Sequence, residues 1–361
     1  MRILHVISSA AAGGAEIYVR DLSIEMTNTG HEVFILFLDR AEEMGRDRDF
    51  ERSFLELLEK NGIHYSFIGS AARKRPWKGI MSLRTIVRIF DPDIVHCHLY
   101  YAVLFSFFLR KSKVVYTHHN INIGVNKFIY KLIDFRVSRY VGICLACKNL
   151  LESLTRRPVI RIDNGVSIQR IRRKNEQEIN CKFNEKVNII SVGNLYKQKN
   201  LILLITSLAK LADRNFLLKV AGEGYEREKL ECLVRELALE DNVKFLGNIN
   251  NVHDLLHDSD VFVMSSLWEG LPIAQIEATL TGLPVIVTNV GGCSEIVHKV
   301  CNGIVVDEFD SENYCAALHK IINDVNMRNT FSCNALRYSG DYLIEISAKK
   351  HIDLYDDIMK T

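Results

Sequence analysis

The sequence predicts an α/β protein with two Rossmann-like, doubly wound domains that face a cleft. Short β-rich runs alternate with amphipathic stretches through the first half of the chain, and a second alternation of the same kind starts near residue 187. The chain has 361 residues, 48% of them hydrophobic, which is too long for one compact core of ordinary size. We therefore expect two domains, each with its own core.

The first domain is predicted over residues 1–168. Its short apolar runs are typical of buried parallel strands, because helical stretches lie between them. The predicted strands are Ile3–Ile7, Val33–Leu38, Ile94–His98, Val114–Thr117, Tyr140–Leu145 and Val159–Ile162. The predicted helices are Glu16–Thr27, Phe50–Lys60, Tyr100–Leu109 and Lys127–Ser138.

A polar, charge-rich segment with little periodicity predicts a linker over residues 169–185, followed by a second domain over 186–340. The strands predicted there are Val187–Val192, Leu217–Ala221, Val243–Leu246, Val261–Met264 and Val285–Thr288. The helices predicted there are Leu201–Leu211, Glu228–Leu237, Val252–His257 and Ile273–Leu280. Residues 341–361 form a helical tail with apolar side chains at helical spacing, and we expect it to pack back on the first domain.

Composition favours a cytoplasmic protein. The apolar opening Ile3–Ile7 is too short for a signal peptide, and the longest apolar run, Leu99–Leu109, is well below the roughly 20 residues of a membrane span, so it predicts a buried helix. Nine cysteines without a framework pattern fit reduced thiols, including the buried pair Cys144 and Cys147. Residues 1–174 carry 28 Lys and Arg against 17 Asp and Glu, whereas the remainder carries 18 against 27.

Glycine-bearing loops follow several predicted strands, where open parallel sheets bind ligands. Gly13 and Gly14 open the first helix and suit either a tight turn or the close approach of a phosphate. Asn194 to Lys199 and the turn at Gly222 lie in corresponding places in the second half. Together these loops imply an anionic, hydroxyl-rich ligand.

Four histidines lie at two strand ends, in His96-Cys97-His98 and in His118-His119. Metal binding, catalysis and packing all compete as explanations of such a group. No convergent Asp, Glu or Cys set accompanies the imidazoles, so we expect no metal site.

The most specific signal begins at Glu269 and continues as Gly270-Leu271-Pro272-Ile273 to Glu277. Pro272 suits the first turn of a helix whose amides face the ligand edge, and Gly282 and Pro284 end that helix. Two carboxylates at this separation are able to bind pairs of vicinal hydroxyls. The pattern therefore favours a carbohydrate ligand.

These motifs resemble those of the retaining glycosyltransferases of family four, also described as glycosyl transferases group 1, which have the two-domain GT-B fold. The resemblance runs over nearly the whole chain and is strongest from Val187 to Val297. It implies that Glu277 holds the donor ribose and that Glu269, with the amides of residues 270–273, faces the donor sugar and diphosphate. It also implies that Lys199 grips the diphosphate and that His119 is the active-site histidine.

The resemblance extends to Gly13-Gly14 as the loop beside the donor phosphate and to Asn164-Gly165-Val166 before the second domain. One position departs from the family pattern, because Asn194 stands where the family has an arginine and carries no charge. Phosphate binding would then depend more on Lys199, Lys197 and helix-end amides. The implied enzyme is a metal-independent, retaining hexosyltransferase with a nucleotide diphosphate sugar as co-substrate and no cofactor.

The acceptor side has its own signal between Gly69 and Phe90, a stretch that contains no acidic residue. Its basic and aromatic side chains suit an anionic membrane surface, although an ordinary amphipathic helix is the alternative. The residues predicted to contact the membrane are Arg73, Lys74, Arg75, Trp77, Lys78, Arg84 and Arg88.

Such placement predicts peripheral association with the cytoplasmic face of an inner membrane. The predicted acceptor is a glycan or polyprenyl-diphosphate-linked glycan, in lipopolysaccharide O-antigen or capsule synthesis. Alternatives are a sugar-nucleotide epimerase or phosphorylase of the same fold, or a non-catalytic nucleotide-sugar-binding protein. No nucleic-acid partner is expected, because base-stacking motifs are absent from the sequence.

Overall fold

The computed structural model describes residues 1–69, 75–109, 111–123, 126–181, 186–249 and 251–360. The chain folds into two compact units. The first contains Met1–Gly165 together with Ile344–Thr361, and the second contains Val166–Leu343. Each unit is built around its own parallel sheet.

The strands of the described chain alternate with helices, as the sequence pattern predicts. The strands are β1 (Arg2–Ile7), β2 (Glu32–Phe37), β3 (His64–Phe67), β4 (Ile94–Cys97), β5 (Lys113–His118), β6 (Arg139–Gly142), β7 (Val159–Arg161), β8 (Val187–Val192), β9 (Phe216–Ala221), β10 (Val243–Gly247), β11 (Val261–Met264), β12 (Val285–Thr288) and β13 (Gly303–Val306).

The described helices complete the two units. They are α1 (Gly14–Asn28), α2 (Arg48–Lys60), α3 (Pro76–Phe90), α4 (Tyr100–Phe105), α5 (Phe128–Ile133), α6 (Leu145–Leu154), α7 (Glu176–Cys181), α8 (Leu201–Ala209), α9 (Arg227–Glu236), α10 (Val252–His257), α11 (Ile273–Thr281), α12 (Gly292–Val300), α13 (Ser311–Asn323), α14 (Val325–Tyr338) and α15 (Ile344–Lys360). Short 3-10 helices lie at Glu42–Met44, Ser106–Phe108, Ile168–Arg170, Lys197–Lys199 and Ser339–Tyr342.

The first sheet has the order β3-β2-β1-β4-β5-β6-β7, and its strands are parallel. The order reverses between β1 and β4, where His5 of β1 is in register with His96 of β4. Ligands of such sheets bind beyond the carboxyl ends of the strands at the reversal. The histidines therefore lie at the ligand edge of this unit.

The C-terminal helix α15 packs on α1 and belongs to the first unit, as the sequence predicts. The hydroxyl of Tyr18 in α1 shares a 2.8 Å hydrogen bond with the hydroxyl of Ser347 in α15. Tyr355 is fully buried and reaches His96 of β4. The end of the chain is thus part of the core beneath the histidines.

The second sheet has the order β10-β9-β8-β11-β12-β13 and is also parallel. Its order reverses between β8 and β11. One apolar cluster contains Leu204, Phe216 and Tyr314, and a second contains Phe262 and Ala278. Buried side chains on both faces explain the nearly continuous apolar strands.

The structure divides the chain at different points from the predicted 1–168, 169–185, 186–340 and 341–361. The described part of the expected linker, residues 169–181, belongs to the second unit and contains α7. Lys174 is buried there, and its ammonium group donates to the carbonyl of Ser259. A charged segment without apolar periodicity is therefore a packed part of this unit.

Three predicted elements are wrong in extent. The helix expected at Tyr100–Leu109 ends at Phe105, and a 3-10 turn then exposes Phe107 and Phe108. The helix expected over Lys127–Ser138 stops at Ile133. The strand expected at Tyr140–Leu145 ends at Gly142, because the Cys144 sulfur caps α6 by accepting from the Cys147 amide.

Candidate functional site

The loops after β8 and β11 hold the predicted donor-binding residues of the second unit. Leu267 donates its amide to the carbonyl of Gln198, and the Gln198 side chain donates to the carbonyl of Trp268, both at 2.8 Å. The Ser265 hydroxyl donates to the Lys199 carbonyl at 3.0 Å. The two loops are therefore fixed against each other at the point where the sheet order reverses.

Lys199 and Glu269 form an ion pair in this loop cluster. The Lys199 Nζ lies 2.7 Å from Glu269 Oε1, and the Ser266 hydroxyl donates to the same oxygen at 2.8 Å. Glu269 is only 7% exposed and Lys199 is half-buried. An ammonium group and a carboxylate thus lie side by side beyond the carboxyl ends of β8 and β11.

Glu277 is buried on α11, and its carboxylate is paired with Arg170. Arg170 NH2 donates to Glu277 Oε1. Because an arginine side chain satisfies this charge, Glu277 is held in one place before any ligand arrives. Sequence reasoning missed Arg170, which it placed in the linker, since its partner lies 107 residues further along the chain.

The helix α11 begins directly after Pro272, with Gly270, Leu271 and Ile273 all buried. Gly291 approaches this segment so closely that a Cβ atom there would lie 1.9 Å from the Glu269 carbonyl oxygen. Gly291 also has φ +50, a left-handed conformation that favours glycine. The absence of a side chain at Gly291 therefore allows the backbone to pack closely beside Glu269.

Gly222 also makes a close backbone contact in this loop cluster. A Cβ at this position would lie 2.0 Å from the Gly193 carbonyl oxygen. Asn194 itself is exposed, and its carbonyl accepts the Tyr196 amide at 2.8 Å. Lys197 is exposed, so Lys199 is the lysine of this loop that is oriented toward the buried carboxylate.

The histidines of the first unit form a hydrogen-bonded array. His5 Nδ1 lies 3.0 Å from His98 Nε2, and His98 Nδ1 lies 2.9 Å from His119 Nε2. His96 contacts the Tyr355 hydroxyl through Nδ1 and the Thr117 hydroxyl through Nε2, both at 2.6 Å. The strand ends therefore bring together His96, His98 and His119, and add His5, which the sequence did not single out.

Burial is the main cause that lowers the pKa of every histidine in this region. It lowers the pKa of His5 and His119 to about 3, and that of His118 and His351 to about 4. The pKa values of His96 and His98 fall well below 6.5, with neighbouring imidazoles adding to the effect of burial. These rings are therefore neutral at physiological pH, and each has one donor and one acceptor nitrogen.

His5, His96 and His98 are also close enough together to face one metal ion, with ligand atoms within 4.8 Å of one another. Neutral imidazoles are suitable ligands for zinc. Both nitrogens of His96 and both of His98 are already hydrogen-bonded to protein groups, however. Metal binding would have to replace those contacts, so packing describes this array better than ligation.

The loop of Gly13 and Gly14 begins α1 at the same edge of the first sheet. The carboxylate of Glu16 bonds to the Ser8 hydroxyl and lies over Gly13, where a Cβ would be 2.1 Å from Glu16 Oε2. The space beside the glycines is therefore lined by a carboxylate. A phosphate there would require Glu16 to turn away.

The predicted membrane residues lie on α3 and just before it. Arg75, Trp77, Lys78, Arg84 and Arg88 are exposed, whereas Arg73 and Lys74 lie outside the described residues. Leu83 is the buried contact of this helix with the core. Within the described ranges, no helix is both long and apolar enough to cross a bilayer.

The family comparison accounts for nearly the whole chain. Residues 12–170 match the family described as Glycosyltransferase Family 4, and residues 172–338 match the family described as Glycosyl transferases group 1. The chain belongs to the family-four glycosyltransferases. The Gly13 loop and the histidines thus lie in the Family 4 domain, and the Lys199 and Glu269 loops lie in the group 1 domain.

Relatives of this glycosyltransferase come from both archaea and bacteria. An uncharacterized glycosyltransferase of Methanocaldococcus jannaschii is 24% identical over 96% of this chain and 95% of its own length. The UDP-Gal:alpha-D-GlcNAc-diphosphoundecaprenol alpha-1,3-galactosyltransferase of Escherichia coli is 30% identical over 46% of this chain and 45% of its own length. Other relatives that match about half of this chain are named for O-antigen biosynthesis in Escherichia coli and amylovoran biosynthesis in Erwinia amylovora.

The fold of this glycosyltransferase is that of solved enzymes of the same architecture. HepE from Anabaena, crystallised with UDP and glucose, superposes with a TM-score of 0.81 over 99% of this chain and 100% of HepE, at 19% identity. This likeness confirms the predicted two-domain GT-B fold with Rossmann-like sheets.

Proposed function

We propose that this glycosyltransferase moves a sugar with retention of configuration from a nucleotide diphosphate sugar to a lipid-linked glycan. The observation that carries the proposal is the Lys199–Glu269 pair beside the start of α11, where the sheet order reverses. A cation and a carboxylate at this place match the two parts of the donor, which are an anionic diphosphate and a sugar rich in hydroxyl groups.

In the proposed reaction, the acceptor hydroxyl attacks the anomeric carbon on the face from which the diphosphate leaves. The bond from that carbon to the leaving phosphate oxygen breaks as the bond to the acceptor oxygen forms. The leaving phosphate oxygen takes the acceptor proton. Lys199 and the amides at the start of α11 stabilise the negative charge that develops on the phosphate, so we expect no cofactor and no required metal.

In this proposal, Glu277 positions the donor by holding its ribose. Its carboxylate would accept hydrogen bonds from the donor ribose, while Arg170 prevents an isolated buried charge when no donor is present. The Lys199 ammonium group would turn from Glu269 toward the diphosphate, which frees Glu269 to bind hydroxyl groups of the donor sugar. Donor binding would therefore exchange one set of charged contacts for another.

The acceptor is the less constrained half of the proposal. An Escherichia coli relative is named for a diphosphoundecaprenol-linked acceptor, and other relatives are named for surface polysaccharide pathways. The exposed basic residues and Trp77 of α3 suit the anionic inner leaflet where such acceptors would lie. We propose peripheral contact with that leaflet in O-antigen, capsule or exopolysaccharide assembly.

The first test measures thermal protection by UDP, GDP and their sugar conjugates on the purified protein, because a ligand of the folded state raises its midpoint. We expect one nucleotide class to raise the unfolding midpoint of the wild type. Lys199→Gln should bind that class with a dissociation constant at least about tenfold higher, since one charge-assisted contact is lost. Lys320→Gln, at an exposed position on α13 of the same unit, is the matched control and should bind as the wild type does.

A second measurement follows the products by proton NMR with the protecting donor and a short lipid-diphosphate glycan. A new glycoside with the donor's anomeric configuration, formed equally with EDTA present, supports a retaining, metal-independent transfer. An inverted product or complete loss with EDTA would contradict that mechanism, and an altered free sugar nucleotide would favour an epimerase instead.

A further inference from the structure

Helices α3, α4 and α5 lie on one face of the first sheet and share a core with it. Leu83 of α3, Phe105 of α4 and Ile133 of α5 belong to one apolar cluster together with Val95 of β4. Gly79 of α3 packs so tightly on the Phe105 ring that a Cβ there would lie 2.6 Å from it. The three helices are therefore neighbours in one layer.

The turn after α5 is tied to the 3-10 helix Ser106–Phe108, which continues α4. Arg136 Nε donates to the Ser106 carbonyl and Arg136 NH2 to the Ser112 carbonyl, both at 2.8 Å. The outer sides of α3, the 3-10 helix, α5 and its turn thus adjoin one another. We name the described side chains exposed on this side the outer layer.

The outer layer exposes an unusual number of large apolar side chains. Its members are Trp77, Met81, Ile89, Phe107, Phe108, Phe128, Leu132 and Phe135. Phe128 is 71% exposed and Phe135 is 80% exposed, values at which a phenylalanine contributes little to the core of its own domain. Outside the outer layer, the one exposed phenylalanine among the described residues is Phe309, which is 47% exposed. Exposed apolar patches of this kind mark interaction sites.

The exposed charged side chains of α3 and α5 in the outer layer are all basic. The exposed bases Lys78, Arg84, Arg88, Lys127 and Lys131 lie among the aromatic side chains. From residue 60 to residue 135 the sequence has twelve basic residues and three acidic ones, Asp91, Asp93 and Asp134. Asp91 and Asp93 accept hydrogen bonds from Arg2, at the opposite end of the strands from the site. Asp134, in the turn after α5, is half-buried and accepts hydrogen bonds from the Tyr140 hydroxyl and the Arg156 amide.

We propose that the whole outer layer, and not α3 alone, is the surface that docks on an anionic lipid bilayer, with Phe128, Leu132 and Phe135 of the α5 region inserted at the interface. Aromatic side chains partition into the headgroup region, and surrounding lysine and arginine residues are attracted to anionic lipids. A layer whose exposed charges on α3 and α5 are all basic suits the continuous negative surface of an anionic bilayer.

The inference deepens the proposed function and rests on it in one respect, because a lipid-linked acceptor gives the docking its purpose. The surface itself is argued from exposure and charge alone. The docking surface and the proposed transferase function can therefore be refuted independently, provided that membrane binding and nucleotide binding are measured on the same proteins.

The test is co-sedimentation of the full chain with protein-free vesicles. Vesicles of phosphatidylcholine with phosphatidylglycerol are compared with vesicles of phosphatidylcholine alone. We expect binding to the anionic vesicles only, and a loss of at least about tenfold in the double variant Phe128→Ser/Phe135→Ser, because both rings leave the interface. Phe309→Ser in the second unit is the matched control and should bind as the wild type does.

A second variant, Lys127→Glu/Lys131→Glu, should bind anionic vesicles more weakly and remove part of the salt dependence. Unchanged nucleotide protection shows that each variant is folded and that donor binding is intact. Equal vesicle binding by the wild type and the Phe128→Ser/Phe135→Ser variant would overturn the inference. So would binding of the wild type to native membranes but not to protein-free vesicles, since that outcome identifies a protein partner.

Discussion

Acidification should unfold the first unit at a pH where most proteins are still stable. His5 and His119 have pKa values of about 3 in the folded chain, and His118 and His351 have values of about 4, because all four are buried. The unfolded chain takes up these protons near pH 6.5, the ordinary value for histidine. Between those limits the unfolded state binds more protons, so stability falls as the pH falls.

The size of the effect follows from proton linkage. Each group that is protonated only in the unfolded state removes about 1.4 kcal/mol per pH unit, or about 2 kcal/mol between about pH 7.5 and pH 5. The four histidines together therefore remove about 8 kcal/mol, before any contribution from His96 and His98, whose pKa values also fall well below 6.5. Total stabilities of folded domains are roughly 5–15 kcal/mol.

Urea unfolding followed by far-ultraviolet circular dichroism at several pH values between about 7.5 and 5 measures the slope. His351→Gln should reduce the slope by about 1.4 kcal/mol per pH unit, because one proton is removed from the difference. His64→Gln, at an exposed position on β3, is the control and should leave the slope as it is. A urea midpoint that is the same at pH 5 as at pH 7.5 would refute the reasoning.

Two further predictions concern the second unit. Arg170→Ala should lower the free energy of unfolding by about 3–5 kcal/mol, because it leaves the Glu277 carboxylate buried without this cation, and Glu277→Gln in the same background should restore part of the loss; a loss below about 1 kcal/mol in urea unfolding would count against the pair. Gly291→Ala should cost more than about 2 kcal/mol, since its Cβ would overlap the Glu269 carbonyl oxygen, whereas Gly340→Ala, with open space around it, should be nearly neutral in the same assay.

The sequence predicts the centre and one edge of each sheet well and misses the other edge. The bounds of β8, β11 and β12 agree with the predicted ones, because β11 and β12 are short apolar-rich runs that are buried at every position and β8 is buried at its centre. The edge strands β3 and β13 were not predicted. Each has four residues, and β3 is His-Tyr-Ser-Phe with no fully buried position, so neither run stands out from loop sequence.

Some residues of the candidate site were predicted from the sequence and others were missed. Lys199 and Glu269 belong to local motifs that can be recognised in a single sequence, and the structure brings them to 2.7 Å. His5 and Arg170 were missed because their partners are 93 and 107 residues away. The apolar run Leu99–Leu109 was predicted to be a buried helix, although the helix ends at Phe105 and the following 3-10 turn leaves Phe107 and Phe108 exposed. Pairings set by topology, and the degree of burial, are the information that sequence periodicity lacks.

The histidine array also restricts the chemistry that His119 can perform. A pKa of about 3 leaves roughly one ring in ten thousand protonated at pH 7. Protonating His119 so that it could act as a general acid would therefore cost much free energy. As a base, a group with so low a pKa has little affinity for a proton. The hydrogen bond that His119 Nε2 shares with His98 Nδ1 further restricts the ring, because each neutral imidazole can donate only once. His119 therefore fits a neutral, oriented contact, and the acceptor proton has to go to another group, which in the proposed reaction is the leaving phosphate.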